Sequence, residues 1–181
     1  LVVCNSLYEA NLFYQSLCNY TSNVLFFPMD DFLTSEALAI SPDLQITRLE
    51  TINEIIKGKK NIVITNLMGY LRFLPTKKTY TDFVMELKVG SIISPQKLVD
   101  KLISSGYTRD TIVTKTGEFG VRGFIIDVFP VDEENPIRIE FFDDEIDSIR
   151  TFDPESQKSI ENLKKVLIKP YFEFICDSEV P

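Results

Sequence analysis

The hydrophobic pattern changes period partway along the chain, and that change limits the fold more than any other feature. From Thr111 on, residues 124–129, 137–142 and 146–152 read as successive strands, joined by residues 131–136 and by Asp143-Asp144-Glu145. Period-two runs separated by short turns dictate a strand meander. Successive side chains on a strand point to opposite faces, so Ile137, Ile139 and Phe141 take one side and Arg138, Glu140 and Phe142 the other. A large aromatic thus shares the polar face with an arginine and a glutamate. A soluble domain seldom exposes such a group without a use for it, and a partner surface is the obvious use.

Before Thr111 the signals alternate between strand and helix. Leu1-Val2-Val3-Cys4 is a short buried-strand run, and Ala10, Phe13, Tyr14, Leu17 and Cys18 follow as an amphipathic helix stripe. Residues 24–27 give a second strand closed by Pro28, and residues 28–44 form a polar loop without clear period. Thr47 and Glu50 have capping-box spacing, ahead of a stripe of Leu49, Ile52 and Ile56. Residues 61–65 make a third strand, then a short helix near 67–73 stops at Pro75. Strands separated by helices imply a parallel, covered sheet. The polar stretch 76–82, with Lys77 and Lys78, is the expected boundary. Beyond it, residues 83–88 alternate as a half-buried strand. Ser94-Pro95 opens a helix that buries Leu98, Leu102 and Ile103 and stops at Gly106. Asp153-Pro154 turns the chain, and residues 166–169 are a last strand. The class is α/β in the first part and α+β with an antiparallel sheet in the second.

Composition excludes several functions. With 181 residues, 44% of them hydrophobic, the chain has enough for one ordinary domain or two small ones with real cores. A net charge of −8 argues against a nonspecific grip on nucleic acid. No apolar run reaches the roughly 20 residues that span a bilayer. No secretory leader is visible, and the missing initiator Met leads us to expect a piece of something longer. Cys4, Cys18 and Cys176 have no metal-ligand spacing and fit reduced thiols of a cytoplasmic protein. The chain has no histidine, the commonest general base near neutral pH.

Three constellations bear on chemistry. The acidic residues Asp127, Glu140, Asp143 and Asp144 admit a magnesium site for phosphodiester cleavage, or else solvated turns. Asp127 falls on the opposite side of its strand from Ile126 and Val128, and reads as a hydrogen-bonded structural carboxylate. For nucleotide binding there is no GxxxxGK[ST] and no GxGxxG, and Gly58-Lys59 lacks the preceding glycine. Gly117-Glu118-Phe119-Gly120-Val121-Arg122-Gly123 leads into a strand, so it offers no helix N-terminus to phosphate. The last constellation is Arg122 and Arg138. Arg122 reads as near the start of the strand over 124–129, far from the turn that follows it. Whether the two arginines share a face depends on a register that the sequence leaves open. Two readings stand: local pairs with Glu118, Glu140 or Asp147, of the kind that contribute ~0–1 kcal/mol, or a partner site.

Gly117-Glu118-Phe119-x-x-Arg122-Gly123-x-x-x-Asp127-x-Phe129-Pro130, followed by Arg138-Ile139-Glu140-Phe141-Phe142-Asp143-Asp144-Glu145-Ile146-Asp147-Ser148-Ile149-Arg150-x-Phe152-Asp153, resembles the N-terminal region of the bacterial transcription–repair coupling factors, the Mfd family. The nucleotide-excision-repair protein UvrB has a similar module, but its Tyr-rich hairpin and its P-loop have no counterpart here. The resemblance implies a UvrB-like parallel-sheet outer domain, partly present as residues 1–80. It implies an inserted α+β UvrA-binding domain over 81–169 and a return segment over 170–181. It assigns UvrA contacts to Arg122, Arg138 and Phe142, with Phe142 as apolar anchor and the arginines as planar donors. Glu140 joins them because it shares the strand face of Arg138 and Phe142. The whole proteins of the family also engage stalled RNA polymerase and double-stranded DNA, using ATP and magnesium in motor domains absent from this chain. The expectation is therefore a monomeric, non-catalytic adaptor without a cofactor of its own. A purely structural domain that positions the motor is the bland rival.

Overall fold

The computed structural model describes residues 1–31 and 41–173. Most of the loop expected over 28–44, the end of the segment expected over 170–181 and Cys176 lie outside the described residues. The chain is mixed α/β with parallel and antiparallel sheets, and it divides into two compact units, Leu1–Pro75 and one that begins at Thr76.

The first unit runs β1 (Val2–Cys4), α1 (Leu7–Cys18), β2 (Val24–Phe27), α2 (Pro42–Ile56), β3 (Ile62–Asn66) and α3 (Leu67–Tyr70). The three strands form a parallel sheet in the order β1-β3-β2. Ser6 caps α1, its hydroxyl accepting from the Glu9 N–H. Ala10, Val24 and Ile64 make the buried centre, and Tyr14 stacks on Phe26 with ring centroids 4.9 Å apart. One expectation fails here. Thr47 and Glu50 lie inside α2, whose first residue is Pro42 after Ser41, and the Thr47 hydroxyl donates to the Asp43 carbonyl at 2.9 Å. Proline at the first helical position overrides the capping-box spacing further on. Leu49 and Ile52 are buried as expected.

The second unit runs α4 (Lys77–Asp82), β4 (Met85–Lys88), α5 (Pro95–Ser104), β5 (Thr108–Arg109), β6 (Glu118–Arg122), β7 (Ile125–Val128), β8 (Ile137–Phe142), β9 (Glu145–Phe152), β10 (Ser159–Leu163) and β11 (Lys165–Ile168). The expected division between residues 80 and 81 falls within α4, where Tyr80 is buried. Burial, with Asp132 nearby, raises the Tyr80 phenol above its ordinary range. A six-stranded sheet has the order β10-β9-β8-β7-β6-β5, antiparallel except for the β5–β6 pair, and β4 pairs separately with β11.

One face of the large sheet carries the core: Phe119, Ile126, Val128, Ile137, Ile139, Ile146 and Ile149 pack with Leu98 and Leu102 of α5. Val99 completes the buried face of α5, while Ile103, expected there, is 56% exposed. Strand β7 begins at Ile125, one residue later than expected, because Arg122 pairs with Ile125 across a two-residue loop of Gly123-Phe124. Gly123 has φ 61°, a left-handed conformation that glycine adopts without strain and that tight hairpins require at their first loop position. Arg122 is therefore the last residue of β6, beside a turn, and not near the start of the next strand. Among the described residues no helix is long and apolar enough to cross a membrane.

The packing separates two isoleucines that the sequence pattern treats alike. Ile139 is fully buried, so Ile139→Ala should lower stability by about 2–5 kcal/mol in urea unfolding. Ile103→Ala, on the exposed side of α5, should stay within about 0.5 kcal/mol.

Candidate partner-docking face

Strand register arranges the outer face of the sheet in rows. Arg122, Ile125, Glu140 and Ser148 lie across from one another on β6, β7, β8 and β9. The next row holds Gly120, Asp127, Arg138 and Arg150. A bulge leaves Asp147 unpaired between Ser148, opposite Glu140, and Ile146, opposite Phe141. It keeps Ile146 on the core side while β8 alternates without interruption, so Arg138, Glu140 and Phe142 stay together on the outer side.

Two carboxylates bind these rows diagonally. Asp127, 4% exposed, accepts from Arg138 twice, from Nε at 2.7 Å and from Nη2 at 2.8 Å, and from Arg122 Nη2 at 2.9 Å. Arg138 is 9% exposed, and every one of its nitrogens donates within the chain. Beyond Asp127, its acceptors are the Gln157 side-chain oxygen at 3.1 Å and the Gln157 carbonyl at 3.4 Å. Its guanidinium also lies 4.3 Å from the ring centroid of buried Phe152. The bonds to Asp127 favour its charged form and raise its pKa further above the ordinary arginine value. Gln157 holds a left-handed backbone with φ 59°, kept in place by bonds to the carbonyls of Asp153 and Pro154. On the far side, Arg150 forks onto Glu140, which also accepts from the Ser148 hydroxyl at 2.9 Å.

The exposed groups gather at the end of the sheet that carries the β6–β7 and β8–β9 turns. Phe142 is 78% exposed and stands opposite Glu145, which bridges on its other side to Ile92, 82% exposed. Phe124 at the hairpin tip is also exposed. The Arg122 side chain is 53% exposed and gives one bond to Asp127, which leaves its other N–H groups for a ligand. Arg109, Asp110, Thr111, Val121 and Arg122 line a shallow cleft beside it. Gly120 lets the Asp110 backbone approach β6 closely, since a Cβ there would lie 3.1 Å from the Asp110 carbonyl oxygen.

The four residues singled out from sequence, Arg122, Arg138, Glu140 and Phe142, thus lie on one face, in unlike states. Arg122 and Phe142 are open, Glu140 is half-buried, and Arg138 is sequestered. Arg138 lacks the open fork expected of it, because a buried carboxylate and the 153–158 turn engage four of its five N–H groups. Among the described residues no group of three or more Cys, Asp or Glu side chains is placed to hold a metal ion. Asp127 and Glu140 serve as arginine acceptors instead. Sequence reasoning missed the Asp127 partnership, Arg150 and Gln157. Parity along β7 and β8 points Asp127 and Arg138 to the polar side, but only the register places them opposite each other.

The two arginines should differ sharply in stability. Asp127→Ala leaves Arg138 buried without a counter-charge and should cost about 3–5 kcal/mol by chemical denaturation. Arg122→Ala removes a half-exposed partner while the Arg138 fork persists, and should cost about 1 kcal/mol or less.

The family model described as the UvrB interaction domain matches residues 85–174. The transcription-repair-coupling factor of Bacillus subtilis is 37% identical over 180 residues, covering 98% of this chain and 15% of that protein. The protein of the same name from Staphylococcus epidermidis is 37% identical over 182 residues, covering 99% of this chain and 16% of its own length. That from Staphylococcus aureus matches to the same extent, 37% over 182 residues. The chain spans only about one sixth of these curated relatives. Identity across nearly the whole chain, with the family domain lying over the sheet that carries Asp127 and its arginines, means that the chain belongs to the transcription-repair-coupling factor family.

Proposed function

We propose that this chain is a non-catalytic adaptor that recruits UvrA, and that the end of the six-stranded sheet is where UvrA docks. One observation carries the reading. An exposed Phe142 and a half-exposed Arg122 stand on one rigid sheet face, with Glu140 and Arg138 fixed between and beneath them. Exposed aromatic and arginine side chains held in place by a stiff scaffold are the usual anchors of an interface. Phe142 enters an apolar pocket of the partner, and Arg122 donates to an acidic or carbonyl group beside it. Membership of a family whose domain is named for UvrB interaction supports a partner from nucleotide excision repair.

The same reading extends to organisation. Leu1–Pro75 is the first part of a UvrB-like outer domain, and the unit from Thr76 is an insert in it. In the whole protein, the face brings UvrA to places where RNA polymerase has stalled on double-stranded DNA, and motor domains outside this chain use ATP and magnesium. The adaptor itself needs no cofactor and acts as a monomer in the cytoplasm.

Calorimetry with purified UvrA tests the site. Phe142→Ala and Arg122→Ala should each weaken binding by at least ~2 kcal/mol, about 30-fold. Leu167→Ala, a partly exposed apolar residue on the separate β4–β11 pair, should bind as the parent does. Unchanged affinity in both face variants would move the UvrA contact elsewhere on the chain, and no UvrA binding by the parent chain would leave it a purely structural domain.

A further inference from the structure

Building on the docking reading, we propose that Arg138 and Asp127 are positioning residues: Arg138 fixes the buried Asp127 carboxylate, and that carboxylate fixes Arg122, the guanidinium that meets the partner. Direct recognition by Arg138 would rest on a single N–H of a buried side chain, because its other four N–H groups are engaged. Its Nε, Nη1 and Nη2 all donate within the chain, one face of its guanidinium lies on Phe152, and it is 9% exposed. Asp127, 4% exposed, has too little surface to touch a partner. Asp127 is nevertheless one bond away from the exposed arginine, and Arg138 two. The Arg138 fork takes Oδ1 through Nε and Oδ2 through Nη2, which fixes the carboxylate plane, and Arg122 Nη2 then donates to Oδ2 at 2.9 Å.

Two further observations show how firmly this relay is held. Gln157 keeps a left-handed backbone, uncommon outside glycine, while giving Arg138 both its carbonyl and its side-chain oxygen. Arg138 also lies directly across from Asp127, in the closest kind of cross-strand pairing. A free arginine samples many rotamers, and ordering it on binding costs about 0.5–1.5 kcal/mol. A guanidinium already tied to a fixed carboxylate loses less. Partner affinity therefore depends on two side chains that the partner never reaches.

A double-mutant cycle tests the relay, measured as UvrA affinity of the 181-residue chain with melting curves for every variant. Asp127→Asn keeps the shape and removes the charge that holds Arg122. It should weaken binding by roughly 5- to 10-fold, with the same loss again in a Phe142→Ala background and almost none in an Arg122→Ala background. Arg138→Lys keeps a positive charge but cannot fork, and should show the same dependence on Arg122 with a milder effect on melting. A general structural defect would lower affinity equally in all backgrounds. Parent affinity in both Asp127→Asn and Arg138→Lys overturns the relay, as does an undiminished loss in the Arg122→Ala background. If Arg122→Ala and Phe142→Ala both bind as the parent does, the docking face itself is wrong and the relay falls with it. If those two lose affinity and the buried pair does not, only the relay falls.

Discussion

A carboxylate buried in a β-sheet is a liability unless its charge is matched, and Asp127 is matched from both sides. Its desolvation is offset by the two-point fork from Arg138 and by a third bond from Arg122. Arg138 is a buried cation that would be equally costly alone. The ring of Phe152 lies against it, and the 153–158 turn supplies its remaining acceptors. Removing Asp127 or Arg138 leaves the other as a buried, unmet charge, whereas losing Arg122 leaves the fork intact. The outer face is therefore a single unit and not a set of independent surface pairs. This explains why strand β7 spends a central position on an acid between Ile126 and Val128, both fully buried on the core side.

The arrangement separates two tasks between the two sides of one sheet. The core side, Ile126, Val128, Ile137 and Ile139 against Leu98 and Leu102, supplies the hydrophobic stabilisation. The outer side contributes little net energy, since buried ion pairs roughly balance their own desolvation. What it supplies is position. Phe142 and Arg122 project from strands whose inner neighbours are locked by packing, which holds both backbones in place. Phe142 then offers most of a phenylalanine ring for burial, about 1.5–3 kcal/mol of transfer free energy, with little ordering to oppose it.

Much of this was legible in the sequence, and the failures have physical causes. Alternation through Ile137–Phe142 assigned both faces of β8, because a period of two cannot be evaded within a regular strand. The same alternation through β9 is broken by the bulge at Asp147, which no residue there announces. Arg122 was misplaced because its hairpin loop, Gly123-Phe124, lacks the Asn-Gly or Asp-Gly pair that marks a tight turn and includes an aromatic that reads as strand. Strand β10 was missed because it is an edge strand with scarcely a buried residue, and α4 because it is short, polar and held by one buried tyrosine. Register was the deepest gap. The Asp127–Arg138 pair exists only once β7 and β8 are aligned, and pattern within either strand cannot align them.

The same face also carries information about the kind of partner it can reject. Asp143 and Asp144 occupy the β8–β9 turn beside Phe142, and Glu145 lies opposite it, while the β6–β7 end of the face carries Arg122 and the nearby cleft Arg109. The anchor therefore sits between an acidic side and a basic one, on a chain whose net charge is −8. A surface with a uniform charge of either sign meets repulsion on one flank, and nucleic acid also meets the net charge of −8. A protein with an apolar pocket flanked by an acidic group toward Arg122 and a basic group toward the turn meets none. Charge arranged this way selects an orientation more than it adds affinity. It also gives the buried Asp127 a second consequence. By drawing Arg122 inward to one bond, it sets the distance between the basic flank and the exposed Phe142.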